Sequence, residues 1–178
     1  VLGLNPFDQP QVELTKVRTR ELIQRGDEVV GLQSGNVRVL LPLDVNIDSF
    51  LDQLAAGDYC AIMAYVVRTQ ENENLLQEIR EYIPKSRRVA TTLGFGPRLL
   101  HSTGQFYKGG TNRGIFIQIR SDDTKDLEIP RQPITFGMLK NFQADADLEI
   151  LRTHGRRVLP LRIGTDVVAG FRALVDCF

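Results

Sequence analysis

Cysteine and histidine are scarce in this 178-residue chain, with two of each. Cys60 lies inside an apolar run and Cys177 beside the end, so the pair makes neither a disulfide framework nor a zinc site. Free thiols in a reducing cytoplasm are the expectation, and with it a cytoplasmic protein. His101 and His154 stand far apart with no paired-carboxylate motif, which argues against a catalytic metal. Net charge is also missing: Lys plus Arg and Asp plus Glu both number 22. A general nucleic-acid binder needs a basic surface to displace counterions, so that class is set aside. A local basic pocket for a phosphorylated metabolite is not. No apolar run reaches the ~18 residues of a membrane span, and no signal peptide is visible. The GFG at 94–96 lacks the third glycine of a dinucleotide fingerprint, so no cofactor is expected. An initiator methionine is absent too. VLGLNPF reads as the tail of a strand entering a loop, as in a chain cut from something longer.

What is present is an ordinary globular composition, 42% hydrophobic and 25% charged, long enough for one domain with a core. Pro10 suits a first helical position, with Asp8 or Gln9 as cap and Gly26 as stop, so a helix is expected over 10–25. Two β-rich runs, 28–33 and 36–43, flank Ser34-Gly35 and suggest a hairpin. Asn46 or Asp48 could cap a short helix reaching Ala56. The unbroken apolar run YCAIMAYVV over 59–67 fits a central strand covered on both faces. A helix over 71–83 follows, acidic in its first turn and closed by Pro84. Strands are then expected over 88–93, 115–119 and 157–163. Helices are expected over 135–154, with AlaAspAlaAsp at 144–147 as a dividing point, and over 166–175. This strand–helix alternation points to an α/β fold: a mostly parallel sheet covered by helices on both faces, with an N-terminal helix and a β-hairpin.

The stretch 94–120, GFGPRLLHSTGQFYKGGTNRGIFIQIR, carries the densest chemistry. Read as a helix over 97–108 at about 100° per residue, it divides into two sides. Leu99, Leu100, Thr103, Phe106 and Tyr107 fall on one; Arg98, His101, Gln105 and Lys108 fall on the other. Pro97 would open the helix and Gly109-Gly110 would stop it. Two cations, a histidine and an amide could hold an anionic, hydroxylated ligand. A plain amphipathic helix with a solvated polar face fits the same spacing. Should the helix start later than Pro97, Ser102 and Thr103 offer hydroxyls near its first turn, where free amides attract phosphate. His154, before Gly155, reads as a cation at a helix end.

GFGPRLLHSTGQFYKGG followed by a GIFIQI strand resembles the C-terminal region of bifunctional transaldolase/glucose-6-phosphate isomerase proteins. ITFGMLKNFQADADLEIL and GRRVLPLRIG continue the resemblance, which covers nearly the whole chain. The opening NPFDQPQVELTK is similar to the F-D-Q-x-x-V-E-x-x-K signature of glucose-6-phosphate isomerases. The resemblance implies a sugar-isomerase-like fold, with 1–26 as the lysine motif and helix of an isomerase domain and 27–178 as an α/β extension. It places Gln9 at the family's substrate-contacting glutamine, Lys16 at its active-site lysine, and Glu13 at the glutamate between them. A lysine ammonium there can stabilise developing oxygen charge during ring opening or enolisation. The family's glutamate base lies upstream of that motif, so the chain alone is expected to be inactive and to work with the rest of a parent chain.

Two functions follow as expectations. The first is the C-terminal part of a glucose-6-phosphate isomerase, interconverting glucose 6-phosphate and fructose 6-phosphate through an enediol, with Lys16 catalytic. Gln9, Arg98, His101, Ser102, Thr103, Gln105 and Lys108 would bind substrate. The second is a noncatalytic sugar-phosphate-binding or dimerisation module attached to a transaldolase/isomerase, with a homodimer as its assembled form.

Overall fold

Tyr59–Tyr65 forms the innermost strand, β1, and its burial shows why the run is unbroken: Cys60 through Tyr65 are all fully buried. A strand with helices on both faces has no solvated side to alternate with. In the computed structural model, which describes residue 5 and residues 8–25 and 46–176, it is one of ten elements among the described residues. They are α1 Pro10–Arg25, α2 Ile47–Leu51, β1, α3 Gln70–Arg87, β2 Ala90–Phe95, α4 Thr103–Gly109, β3 Gly114–Arg120, α5 Phe136–Thr153, β4 Arg157–Arg162 and α6 Val167–Val175. The four strands are parallel in the order β2-β1-β3-β4, with Cys60 opposite Thr91 on one side and Ile115 on the other. The expected hairpin over 28–43, and Cys177, lie outside the described residues.

Side chains leave each strand alternately to two cores. Ile62, Ala64, Ile117, Ile119 and Leu161 meet α2, α3 and α6. Ala61, Met63, Tyr65 and Phe116 meet Leu99, Tyr107, Ala144 and Leu151 from the α4–α5 side. Outside α4 and α5 lies α1, packed on both. Its inner stripe is Val12, Thr15 and Thr19. The threonine hydroxyls lose no hydrogen bond by burial, because each donates to the carbonyl four residues back, Gln11 and Thr15 respectively. The chain moves from β1 outward to β2, then back across to β3, so the order reverses between β1 and β3. Ligands in open α/β sheets gather beyond the carboxyl ends of such strands.

Three expectations need correction. Pro84 does not close α3, which runs on to Arg87 and ends on left-handed Arg88, φ 56°. Proline deprives the Arg80 carbonyl of its helical donor, and the Thr91 hydroxyl from β2 supplies one at 3.3 Å. AlaAspAlaAsp does not divide α5, because Asp145 pairs with Arg120 and Asp147 with Lys108. An aspartate held by a cation no longer competes for the helix backbone.

The helix expected over 97–108 is the largest correction. Residues 96–102 turn tightly after a cis Gly96–Pro97 bond, and α4 starts only at Thr103. The turns wind around Leu99, whose carbonyl accepts from Ser102 and Gly104 N–H. Its side chain is buried over Gly94, where a Cβ would lie 2.1 Å from a leucine methyl. A Cβ on Gly96 would lie 2.4 Å from the Tyr65 ring. The glycines of GFG therefore admit protein side chains. The two faces also shift: Phe106, expected inward, is 52% exposed, while Lys108, expected on the polar face, is 1% exposed.

Candidate functional site

Gln9 sits at the head of α1, its carbonyl accepting from Val12 and Glu13 N–H. Its side-chain oxygen lies 3.0 Å from Nδ1 of His101, in the turn that leads into α4. With that nitrogen donating, Nε2 of the neutral ring is left as an acceptor. Gln105, one element on, accepts from the Gln11 N–H at 3.1 Å, satisfying an amide in the first turn of α1. One turn along α1, Lys16 donates to Glu13 at 2.8 Å. That hydrogen bond, with the positive charges around it, holds the exposed Glu13 carboxyl below its usual range. Gln9, Glu13, Lys16 and His101 thus form one polar face where α1 meets the 97–102 turns.

Beneath this face is a buried ionic network. Lys108 Nζ lies 2.5 Å from Asp147 Oδ1, the two side chains being 1% and 5% exposed. The ammonium also donates to Thr15 Oγ1 at 2.9 Å. Tyr65 donates its hydroxyl to the other oxygen of Asp147. Burial above all, and then the adjacent carboxylate, push the Tyr65 phenol well above its ordinary pKa. The network joins α1, β1, α4 and α5, with Gln118 of β3 next to it, donating to the Ala144 carbonyl at 2.8 Å.

Arg98, Ser102 and Thr103 lie on the opposite side of the 97–102 turns. They line a crevice of about 350 Å³ beyond the carboxyl end of β2, together with Arg68 and Glu73. Arg68 pairs with Glu73 and stacks over Phe95 at 5.5 Å. Arg98 makes no hydrogen bond or ion pair among the described residues. The Ser102 hydroxyl donates to Leu99 and caps nothing.

The eight candidate residues therefore do not converge. Gln9, Lys16 and His101 share a face, and Gln105 supports it from behind. Arg98, Ser102 and Thr103 occupy a separate crevice. Lys108 is paired with Asp147 in the core, so the shared polar face expected for Arg98, His101, Gln105 and Lys108 does not form. His154, as expected, ends α5, with Nδ1 at 2.8 Å from the Ile150 carbonyl. The Cys60 thiol is buried, which pushes its pKa to about 12 and leaves it protonated and inert. Among the described residues no group of three or more metal-capable side chains occurs.

Sequence reasoning missed Thr15, Tyr65 and Asp147. The readable signal was Asp147 itself, an acid between Ala146 and Leu148 on the inner stripe of α5. A charge there requires a buried partner.

Comparison with known proteins bears on the fold alone. No family model matches the chain, and no curated protein matches it. Among solved structures it resembles a hypothetical protein, TT0462, from Thermus thermophilus, with a TM-score of 0.61 and 16% identity. The likeness covers 96% of this chain and 43% of that one, so this chain spans less than half of its neighbour's length. It is an α/β fold with a parallel sheet covered on both faces. No helix among the described residues is long and apolar enough to cross a membrane.

Proposed function

We propose that this chain is the C-terminal part of a glucose-6-phosphate isomerase, in which Gln9 and Lys16 contact the sugar phosphate. The observation that carries the reading is the hydrogen bond between Gln9 and His101. It joins two stretches, 92 residues apart, that separately resemble the same family. Lys16 is suited to the role. Its only partner among the described residues is the exposed Glu13, and exposed pairs of this kind are worth about 1 kcal/mol or less, so the ammonium can turn to an anionic oxygen at small cost. There it would stabilise charge developing on the sugar oxygens. His101, whose Nε2 has no hydrogen bond among the described residues, is placed to hydrogen-bond a sugar hydroxyl. The base that removes the C2 proton would come from residues upstream of the lysine motif.

Titration of the chain with fructose 6-phosphate, followed by amide NMR, tests this. Shifts at Gln9, Lys16 and His101 that vanish in Lys16→Ala are expected. Silence at those amides up to millimolar sugar phosphate would overturn the reading.

The Arg98 crevice favours a second reading, a sugar-phosphate-binding module without catalysis. Its cation is unpaired among the described residues and it lies at strand carboxyl ends, where such ligands collect. Shifts confined to Arg98, Ser102 and Thr103, abolished by Arg98→Ala, would select it.

A further inference from the structure

Between α1 and α5, roofed by Pro97 and Leu100, runs a groove of about 190 Å³. Its floor is polar but already engaged. The Thr15 hydroxyl lies between Lys108 and the Gln11 carbonyl, Thr19 donates to the Thr15 carbonyl, and Asp147 holds Lys108 and Tyr65. The donors among these are already used, so the floor offers a ligand only oxygen lone pairs.

The mouth is different. Lys16 and Arg20 both line the groove and are four residues apart on α1, hence neighbours on one face; Lys16 is held only by the exposed Glu13, a weak pair that an anion can displace. Arg20 makes no hydrogen bond or ion pair among the described residues, and Gln143 beside it is likewise without a hydrogen bond. Asp147, the acid lining the groove, is taken up by Lys108 and Tyr65. The walls are Ile23, Leu100 and Leu139, which offer only apolar surface.

These features select a ligand class. Two cations one turn apart match a phosphate dianion, with guanidinium and ammonium donating to different oxygens. Walls of this kind reward burial of carbon and penalise an unpaired hydroxyl. A cavity of ~150 Å³ already holds a benzene ring. We infer that the groove binds a small phosphate monoester with an apolar, ring-sized body, the phosphate between Lys16 and Arg20 and the body against Leu100 and Leu139. Lys16 is shared with the isomerase reading, but the inference stands on the composition of the groove.

Phenyl phosphate is the probe, titrated by amide and methyl NMR beside inorganic phosphate and fructose 6-phosphate. Phenyl phosphate should bind at least about tenfold more tightly than inorganic phosphate, because the ring buries apolar area that the bare ion lacks. Shifts should appear at Arg20, Ile23, Leu100 and Leu139. Arg20→Gln should weaken phenyl phosphate about tenfold, since one charge-assisted pair is lost. Leu139→Ser should weaken phenyl phosphate and leave inorganic phosphate unchanged, with dispersed spectra verifying the fold of each variant. Equal binding of phenyl and inorganic phosphate, or indifference to Arg20→Gln, would overturn the inference. Fructose 6-phosphate shifts at Gln9 and His101 without phenyl phosphate binding would sink the groove and spare the isomerase reading. Phenyl phosphate binding with no fructose 6-phosphate response would do the reverse.

Discussion

Replacing Lys108 by methionine removes one charge from the most buried ionic contact in the described structure while nearly preserving side-chain length. Asp147, 5% exposed, would then keep a carboxylate away from water without its cation. Breaking a buried pair in this way costs about 3–5 kcal/mol. Tyr65 would still donate to Asp147, and the Thr15 hydroxyl, 3.3 Å from the same carboxylate, could turn its proton toward it. These two hydrogen bonds place the expected loss near the lower limit, about 3 kcal/mol. For a domain of this size that corresponds to a fall in Tm of about 6–12 °C. Urea unfolding at neutral pH, followed by circular dichroism, measures it directly. A second substitution isolates the cause. In Lys108→Met/Asp147→Asn no charge is buried, and the asparagine oxygen can still accept from Tyr65. The double variant should regain most of the loss, to within about 1 kcal/mol of the parent, because the cost lies in the unpaired carboxylate. If Lys108→Met alone stays within about 1 kcal/mol of the parent, or if the double variant is as unstable as the sum of the singles, the buried pair does not work as described.

Other outcomes follow from single contacts. Gly96→Ala should destabilise by about 1–3 kcal/mol in the same unfolding assay, since its methyl would meet a Tyr65 ring that Asp147 holds in place; an unchanged midpoint would show that the ring can move. Lys16→Ala should leave stability within about 1 kcal/mol, because only an exposed pair is lost, yet abolish the fructose 6-phosphate shifts at Gln9 and His101; retained shifts would remove Lys16 from the site. Asp58, whose carboxyl is held low chiefly by its hydrogen bond from Arg157, should make the fold acid-sensitive. A depressed folded pKa contributes stability that is present above the unfolded value, ~3.9, and is lost as pH falls through the lower folded value. Asp58→Asn should therefore be less stable at neutral pH and flatten the decline below about pH 4; a parallel pair of stability–pH curves would contradict this.

The elements that could be read from the sequence are those whose signal is local. The run over 59–67 declared a strand buried on both faces, and Asn46, Thr135 and Asp166 sit where their side chains accept from the first turn of a helix. Helix α1 has its expected bounds because Pro10 suits its start. Parallel pairing followed from the alternation of strands and helices, since a parallel crossover needs a helix-sized connection. Tertiary contacts decided the rest. The periodicity over 97–108 was compatible with a helix, but Leu99 packs over Gly94 and its carbonyl takes the Ser102 and Gly104 N–H groups, so 97–102 turns instead. Lys108 has the composition of a surface residue and lies in the core because Asp147, on α5, and Thr15, on α1, converge on it from distant parts of the chain. Spacing along one helix reports which side chains share a face; it carries no information about which partners fold onto that face. For the same reason Arg98 and His101, close neighbours in sequence, were expected together, and the turns at 97–102 send one to the β2 crevice and the other to Gln9.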